Sequence, residues 1–260
     1  MAGIDGQVYI GTLLLERNRH APGKTPTYRV SQWLERFAEA GFDGMELWEN
    51  HAALCAPEEL RALESASFPV AVFNSYAAFD EAGEADRRRA ADLASRLRAG
   101  GVKFNFGKDP KARAAYVKNA RAWQKLLPGE TRLLCECHGG TIVEEPEQAA
   151  SVFDELGRGR FQAIVHPFRP DLDKLRQWFR ALGPSITHAH VQMRDDSGEF
   201  LLLESNPNLA KEALRVMRGE GYRGSFTLEF TAGVRAPQES MERLFEAALR
   251  DLLFLRENWP

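Results

Sequence analysis

The sequence predicts an α/β fold, a single (β/α)8 TIM barrel spanning residues 1–260 as one domain. Three observations carry this. Short apolar, β-type runs alternate with amphipathic helical patterns from one end of the chain to the other. Eight such pairs in 260 residues match the size of a closed barrel of this kind. The open, doubly wound alternative requires a glycine-rich phosphate turn after the first strand, and Gly11-Thr12-Leu13-Leu14 does not supply one. No linker, low-complexity stretch or close repeat divides the chain.

Strands are expected at residues 7–15, 44–48, 69–75, 102–106, 131–138, 161–166, 186–193 and 225–230, each a short run bounded by turn formers. Helices are expected at 27–40, 57–64, 81–99, 110–127, 146–156, 171–182, 208–219 and 240–255. Their punctuation is local. Gly41, Gly100-Gly101, Pro128-Gly129 and Gly183-Pro184 close helices, and Pro57 and Asp109-Pro110 open them. Residues 16–26 read as a long polar loop.

Hydrophobic residues make up 44% of the chain, charged residues 27%, and the formal net charge is -3. These values are ordinary for a globular protein and offer no basic nucleic-acid footprint. Arg87-Arg88-Arg89 lies with Glu84 and Asp86 in a helical pattern and reads as a solvated face. The three cysteines, Cys55, Cys135 and Cys137, fit no disulfide framework and point to a reducing compartment. No signal-peptide pattern and no run of membrane-spanning length is visible. A cytoplasmic protein with a small-molecule substrate is expected, without nucleic-acid or membrane partners. A homo-oligomer is compatible with these features.

Polar residues collect where the expected strands end. They are Glu46 and Trp48, with Asn50 and His51 beyond; Asn74; Lys103 and Asn105; Glu136 and His138, followed by Gly139-Gly140; His166; His188, His190 and Gln192; and Thr227, Glu229 and Thr231. Alternate strand residues share a face, so Glu136 and His138 point one way and the sulfurs of Cys135 and Cys137 the other. Barrel active sites lie at this carboxyl end, and four of the six histidines fall there. Glu136, His166, His190 and Glu229 come from four consecutive strands. Two carboxylates with two imidazoles suit one divalent ion, Mn2+, Zn2+, Fe2+ or Co2+. Buried charges are costly unless paired or metal-bound, which favours a shared ion over four separate buried groups. His20 and His51 lie in expected loops with no motif, and Asp195-Asp196 reads as a solvent-facing pair.

On Gly44-Met45-Glu46-Leu47, Cys135-Glu136-Cys137-His138-Gly139-Gly140-Thr141, His188-Ala189-His190-Val191 and Phe226-Thr227-Leu228-Glu229-Phe230, the chain resembles the sugar phosphate isomerase/epimerase superfamily, the xylose-isomerase-like barrels. The resemblance runs over nearly the whole chain. It implies a divalent metal held by Glu136, His190 and Glu229, with His166 where the family commonly has Asp. Arg169 stands where a substrate-touching histidine is common, and its planar cationic fork suits carboxylate or phosphate. The implied activity is isomerisation or epimerisation of a sugar or sugar-like substrate. Glu136 and Glu229 would be the acid/base pair, working through a metal-stabilised enediolate. Lys103 and His188 are candidates for stabilising charge or binding a hydroxyl. Glu46 is a candidate to orient a ligand or bind a hydroxyl, with a structural hydrogen bond as the alternative, Trp48 is a wall for a sugar ring or else a core aromatic, and His138 is a candidate substrate contact. A lyase or dehydratase of a keto acid or oxidised glycoside shares the first step and is the alternative. A non-catalytic sugar-binding barrel is a more remote one. The superfamily's apurinic endonuclease branch calls for a cluster of zinc ions and a basic groove, which six histidines and an acidic balance oppose.

Overall fold

The eight expected strands close on themselves. In the computed structural model, which describes residues 5–259, the barrel strands are β1 (Val8–Gly11), β2 (Gly44–Trp48), β3 (Val70–Asn74), β4 (Gly101–Phe104), β5 (Arg132–Glu136), β6 (Phe161–Val165), β7 (Ile186–Val191) and β8 (Ser225–Leu228). Each pairs in parallel with its neighbours in chain order, and β8 returns to β1, Val8 opposite Phe226 and Ile10 opposite Leu228. Closure leaves the barrel no free sheet edge. Helices Pro57–Ser65, Glu84–Arg96, Arg113–Gln124, Pro146–Leu156, Leu172–Leu182, Pro207–Gly219 and Met241–Asn258 surround it. Several start on the caps their sequences supply: Asp171, Asn206 and Ser240 accept the backbone N–H of Lys174, Leu209 and Arg243.

The period of two sorts the faces of β5. Leu133 and Cys135 pack outward into the large core beneath the helices. Leu134 points inward and joins Tyr9, Val72 and Ile164 in a small apolar cluster inside the barrel. Glu136 follows Leu134 on that inner face. The interior is therefore sealed by hydrocarbon below and lined by charge at the carboxyl end.

The first strand is shorter than expected. At Gly11 the chain bends into a short helix, Thr12–Leu15. A Cβ on Gly11 would stand 2.8 Å from the Leu228 carbonyl oxygen, so only glycine allows this approach to β8. Thr12 Oγ1 then accepts the Trp48 N–H at 2.9 Å and meets His51 Nδ1 at 2.9 Å. His51 is not in an open loop. It is buried in a short helix, Glu49–Ala53, with Nε2 3.0 Å from Glu16 Oε2. Glu16 also accepts from the Asn18 and Thr27 backbone and the Thr27 hydroxyl. Burial opposes its charge, but these donors, His51 foremost, draw its carboxyl down to about 2. The loop 16–26 is thus anchored on buried groups at both ends.

Two further elements differ from expectation. The helix at 27–40 is divided into a 3-10 turn, Val30–Gln32, and a helix, Leu34–Glu39, because the Ser31 N–H is taken by Glu59 at 2.8 Å. After β7 the chain forms a two-stranded antiparallel ribbon, Met193–Arg194 against Phe200–Leu201. Asp195 caps its turn by accepting from Ser197 and Glu199 N–H, and it faces solvent. Among the described residues no helix is long and apolar enough to cross a membrane.

Asp251 ties the two loops nearest β8 together. It is buried, accepting the Leu203 N–H at 2.8 Å and the Thr231 hydroxyl at 2.5 Å. Burial pushes its carboxyl up to about 6 from 3.8. The folded state therefore holds this proton more tightly than the unfolded chain. The group's contribution favours folding below the unfolded value and is lost as pH rises through the folded one, a change on the order of 2 kcal/mol. Asp251→Asn keeps an acceptor for Leu203 and removes the buried charge. It is expected to raise the melting temperature at pH 8 and leave it nearly unchanged at pH 4. Thermal unfolding at the two pH values checks this, and a variant less stable at pH 8 would refute it.

Candidate functional site

Strands β5 to β8 deliver four donors to one point. Glu136 ends β5, His166 follows β6, His190 lies in β7 and Glu229 follows β8. Glu136 Oε1 is 3.1 Å from His166 Nε2 and 3.2 Å from His190 Nδ1. Glu229 Oε2 is 3.3 Å from His190 Nδ1 and 3.7 Å from His166 Nε2. One ligand atom from each of the four lies within 4.8 Å of all the others. Tetrahedral ligation with bonds of roughly 2.1 Å sets ligand atoms roughly 3.4 Å apart, and the observed separations straddle that value. His166 Nε2 adds a second indication. It is buried and makes no hydrogen bond, although a carboxylate oxygen is 3.1 Å away. A buried nitrogen aimed between two carboxylates, rather than at either, is satisfied by a cation shared among them.

Behind His190 stands Glu46. Its Oε2 is 3.1 Å from His190 Nε2, and its Oε1 accepts from Asn74 at 2.7 Å. A carboxylate behind a ligating imidazole fixes the ring's orientation and tautomer. Of the roles open to Glu46, orienting a ligand is the one that its place behind His190 fits. The expectation for His188 is corrected. The period of two sets it one pleat deeper than His190. It is 0% exposed, with Nδ1 against Ser225 Oγ and Nε2 against Thr227 Oγ1, each at 2.9 Å. Burial, only partly offset by Glu46, brings its pKa down to about 4, so it is neutral at pH 7. Glu46, His188 and His190 also lie close enough to share an ion, but both His188 nitrogens are committed to hydroxyls. Trp48 is 1% exposed and packs edge-on to His51 at 5.3 Å, so no ring face remains for a sugar.

The mouth of the site carries the other polar groups. Lys103 Nζ is 2.7 Å from Glu136 Oε2, and Asn105 Nδ2 donates to the same oxygen at 2.9 Å. Asn105 Nδ2 also meets Nε2 of His138, whose side chain is 38% exposed, at 2.7 Å. Gln192 donates to Glu229 Oε2 at 2.8 Å, while Glu229 Oε1 has no hydrogen bond among the described residues. Arg169, in the loop after β6, is exposed. Sequence reasoning passed over Tyr76, Arg194 and Arg235. The Tyr76 ring lies 4.7 Å from Lys103 Nζ and 4.9 Å from Lys24 Nζ. Arg194 donates to Gln192 Oε1 at 3.2 Å. Alternation would have found two of them, since Tyr76 is two residues beyond Asn74 and Arg194 two beyond Gln192. Arg235 leaves no such signal.

Burial alone would discharge these groups. Their mutual attraction prevents it. Against burial, Lys103 and then the two imidazoles hold Glu136 well below the usual carboxylate range. Against burial, His190 above all draws Glu229 down to about 2. The carboxylates in turn lift His190 well above the usual imidazole range and raise His166, again against burial. With both imidazoles protonated, the three carboxylates Glu46, Glu136 and Glu229 are balanced by Lys103 and two protons. A dication in place of those protons leaves the balance unchanged, so the donor set fits a divalent ion in charge as well as in geometry.

No family model and no curated protein matches the chain. Solved structures do. The probable 3-DHS dehydratase AsbF of Bacillus anthracis has a TM-score of 0.69 at 17% identity, covering 95% of this chain and 98% of that one. The apo 3-keto-D-glucoside 4-epimerase YcjR of E. coli has a TM-score of 0.64 at 16% identity, covering 96% and 99%. Endonuclease IV of Thermus thermophilus has a TM-score of 0.65 at 16% identity, covering 96% and 99%. The shared fold is that of the xylose-isomerase-like TIM barrels. The three are named for different reactions, so the fold leaves the chemistry to the site.

Metal uptake is expected to release protons and to weaken as pH falls, because the ion must displace the protons that the carboxylates favour on His190 and His166. Calorimetry with Mn2+ in buffers of different ionisation enthalpy reads the proton count. Uptake with no proton release and no pH dependence would contradict this ligand set. Glu136→Gln is expected to weaken Mn2+ binding by at least about tenfold.

Proposed function

We propose that the chain is a divalent-metal-dependent isomerase or epimerase, moving a proton at a carbon beside a carbonyl of a sugar-like small molecule. The unequal state of the two site carboxylates is the observation that supports this reading. Glu136 has both oxygens engaged, one toward the imidazoles and one by Lys103 and Asn105. Glu229 has one oxygen engaged and Oε1 free. One carboxylate is held and the other is ready to accept, as a one-way proton removal requires.

A divalent ion on Glu136, His166, His190 and Glu229, whether Mn2+, Zn2+, Fe2+ or Co2+, would supply Lewis-acid polarisation of the substrate carbonyl and a neighbouring hydroxyl. Glu229, ionised and with Oε1 free, takes the proton from the adjacent carbon. Glu136 and Lys103 act as a unit on the other side. Against burial, the Glu136 carboxylate keeps the Lys103 ammonium charged, so a fixed positive charge stands on the side where the proton returns, to the opposite face or to the next carbon. Glu46 and Asn74 keep the His190 ring from turning. A lyase acting on a keto acid or oxidised glycoside is the second reading, and His138 favours it. Its Nδ1–H donates to the Gly139 carbonyl at 2.7 Å and its Nε2 accepts from Asn105 at 2.7 Å, so Nε2 stands at the mouth as a second base beside the carboxylates.

The test is proton NMR of ketoses, keto-glycosides and cyclic keto acids in D2O with Mn2+-loaded protein. Deuterium entering at one carbon without elimination is expected, and Glu229→Gln should slow it by at least about a hundredfold while Mn2+ still binds. Release of water or an aglycone assigns the lyase instead. Bound metal with no exchange on any of these substrates would sink both readings.

A further inference from the structure

Three arginines follow consecutive barrel strands: Arg169 after β6, Arg194 in the ribbon after β7 and Arg235 after β8. These are the strands that supply His166, His190 and Glu229. Some arginines of this chain are neutralised, as in Arg19–Glu239, Arg36–Glu242, Arg88–Glu84 and Arg113–Glu155, and others, such as Arg98 and Arg160, spend their donors on backbone carbonyls. Arg169, Arg194 and Arg235 have no ion-pair partner among the described residues. They are nonetheless close enough together that Arg169 and Arg235, after burial, act to lower the Arg194 pKa, while Glu229 acts to raise it. Like charges brought together without a counter-ion repel, and a fold tolerates this where an anion is to be received.

Arg194 is the group the structure has prepared. Its guanidinium stacks on the Phe200 ring at 4.1 Å, which fixes the plane of the fork. It donates to Gln192, which donates to Glu229. Its Nε is buried and has no hydrogen-bond partner. A buried guanidinium N–H without an acceptor is a costly omission that a bound oxyanion repairs. Arg235 is held with φ of 68°, in the left-handed region, its backbone N–H tied to Glu239 and its side chain meeting His20. Backbone strain of this kind concentrates where a side chain must be aimed.

We propose that Arg194 forms an oxyanion subsite for a carboxylate or phosphate carried by the substrate, two hydrogen bonds away from Glu229. The subsite rests on the metal-centre reading only for where the reacting carbons lie; the anion contact itself does not require the ion. It would make an acid or a phosphate ester the preferred substrate over a neutral sugar.

The experiment titrates inorganic phosphate and, separately, propionate into metal-free protein at constant ionic strength. It reads the anion-induced shift in melting temperature, which reports binding to the folded state. Wild type is expected to respond to at least one of the two, and the responding anion names the source. Arg194→Gln should weaken that response at least about tenfold, while Arg88→Gln, on a distant helix, should not change it. Comparing shifts within each variant removes its own stability from the reading. Should Arg194→Gln not fold, Arg194→Lys keeps the charge without the fork and should lose most of the effect. A wild type indifferent to both anions, or an Arg194→Gln protein responding as wild type does, would overturn the subsite. A parallel Mn2+ titration separates the two claims. Failure of Mn2+ to bind, with an Arg194-dependent anion response, sinks the metal reading alone, and the converse sinks the subsite alone.

Discussion

One imidazole, that of His190, is gripped by three buried carboxylates, and the site is built around it. Nε2 faces Glu46, and Nδ1 lies between Glu136 and Glu229. Three carboxylates in so small a volume would each lose several kcal/mol of hydration without compensation. Lys103 answers one of them. The remainder is answered either by protons on the two imidazoles or by a divalent ion in their place. The need to keep this layer neutral accounts for the buried lysine, for the histidine at position 166 and for the carboxylate behind His190.

The barrel makes such a concentration of charge tolerable. The apolar cluster of Tyr9, Val72, Leu134 and Ile164 closes the interior below, so water reaches the charged layer only from the mouth. Rigid parallel strands set the ligand positions, while the loops carry the groups that differ among proteins of this fold. A dehydratase, an epimerase and an endonuclease share the architecture. In this chain the charged layer is completed by His166 and by the Lys103–Glu136–Asn105 contact.

Alternation told which face of a strand a residue occupies, and there the sequence was a reliable guide. Leu134 and Glu136 do share the barrel interior, and Cys135 and Cys137 do lie away from it as buried thiols. It did not tell depth. Glu46 and His188 lie on the expected face but below the plane a substrate reaches, because strand tilt and register, not spacing along one strand, set height in a barrel. For Trp48, burial favours the core aromatic over the sugar wall, for a related reason. The bend at Gly11 brings Thr12 to its backbone, and His51 packs edge-on to its ring. Local propensity offers no trace of either contact.

By itself, the sequence determined the strand–helix alternation, the closure into a barrel and the four donors of β5 to β8. Those follow from periodicity and from the cost of burying charge, both of which are local properties of the chain. Only the tertiary structure decided which polar residues line the opening and which are sealed beneath it. It alone linked Arg194 through Gln192 to Glu229, and it alone left Glu229 with a free oxygen while Lys103 and Asn105 occupied that of Glu136. Those outcomes depend on distances between residues far apart in the chain, and these exist only once the barrel has closed.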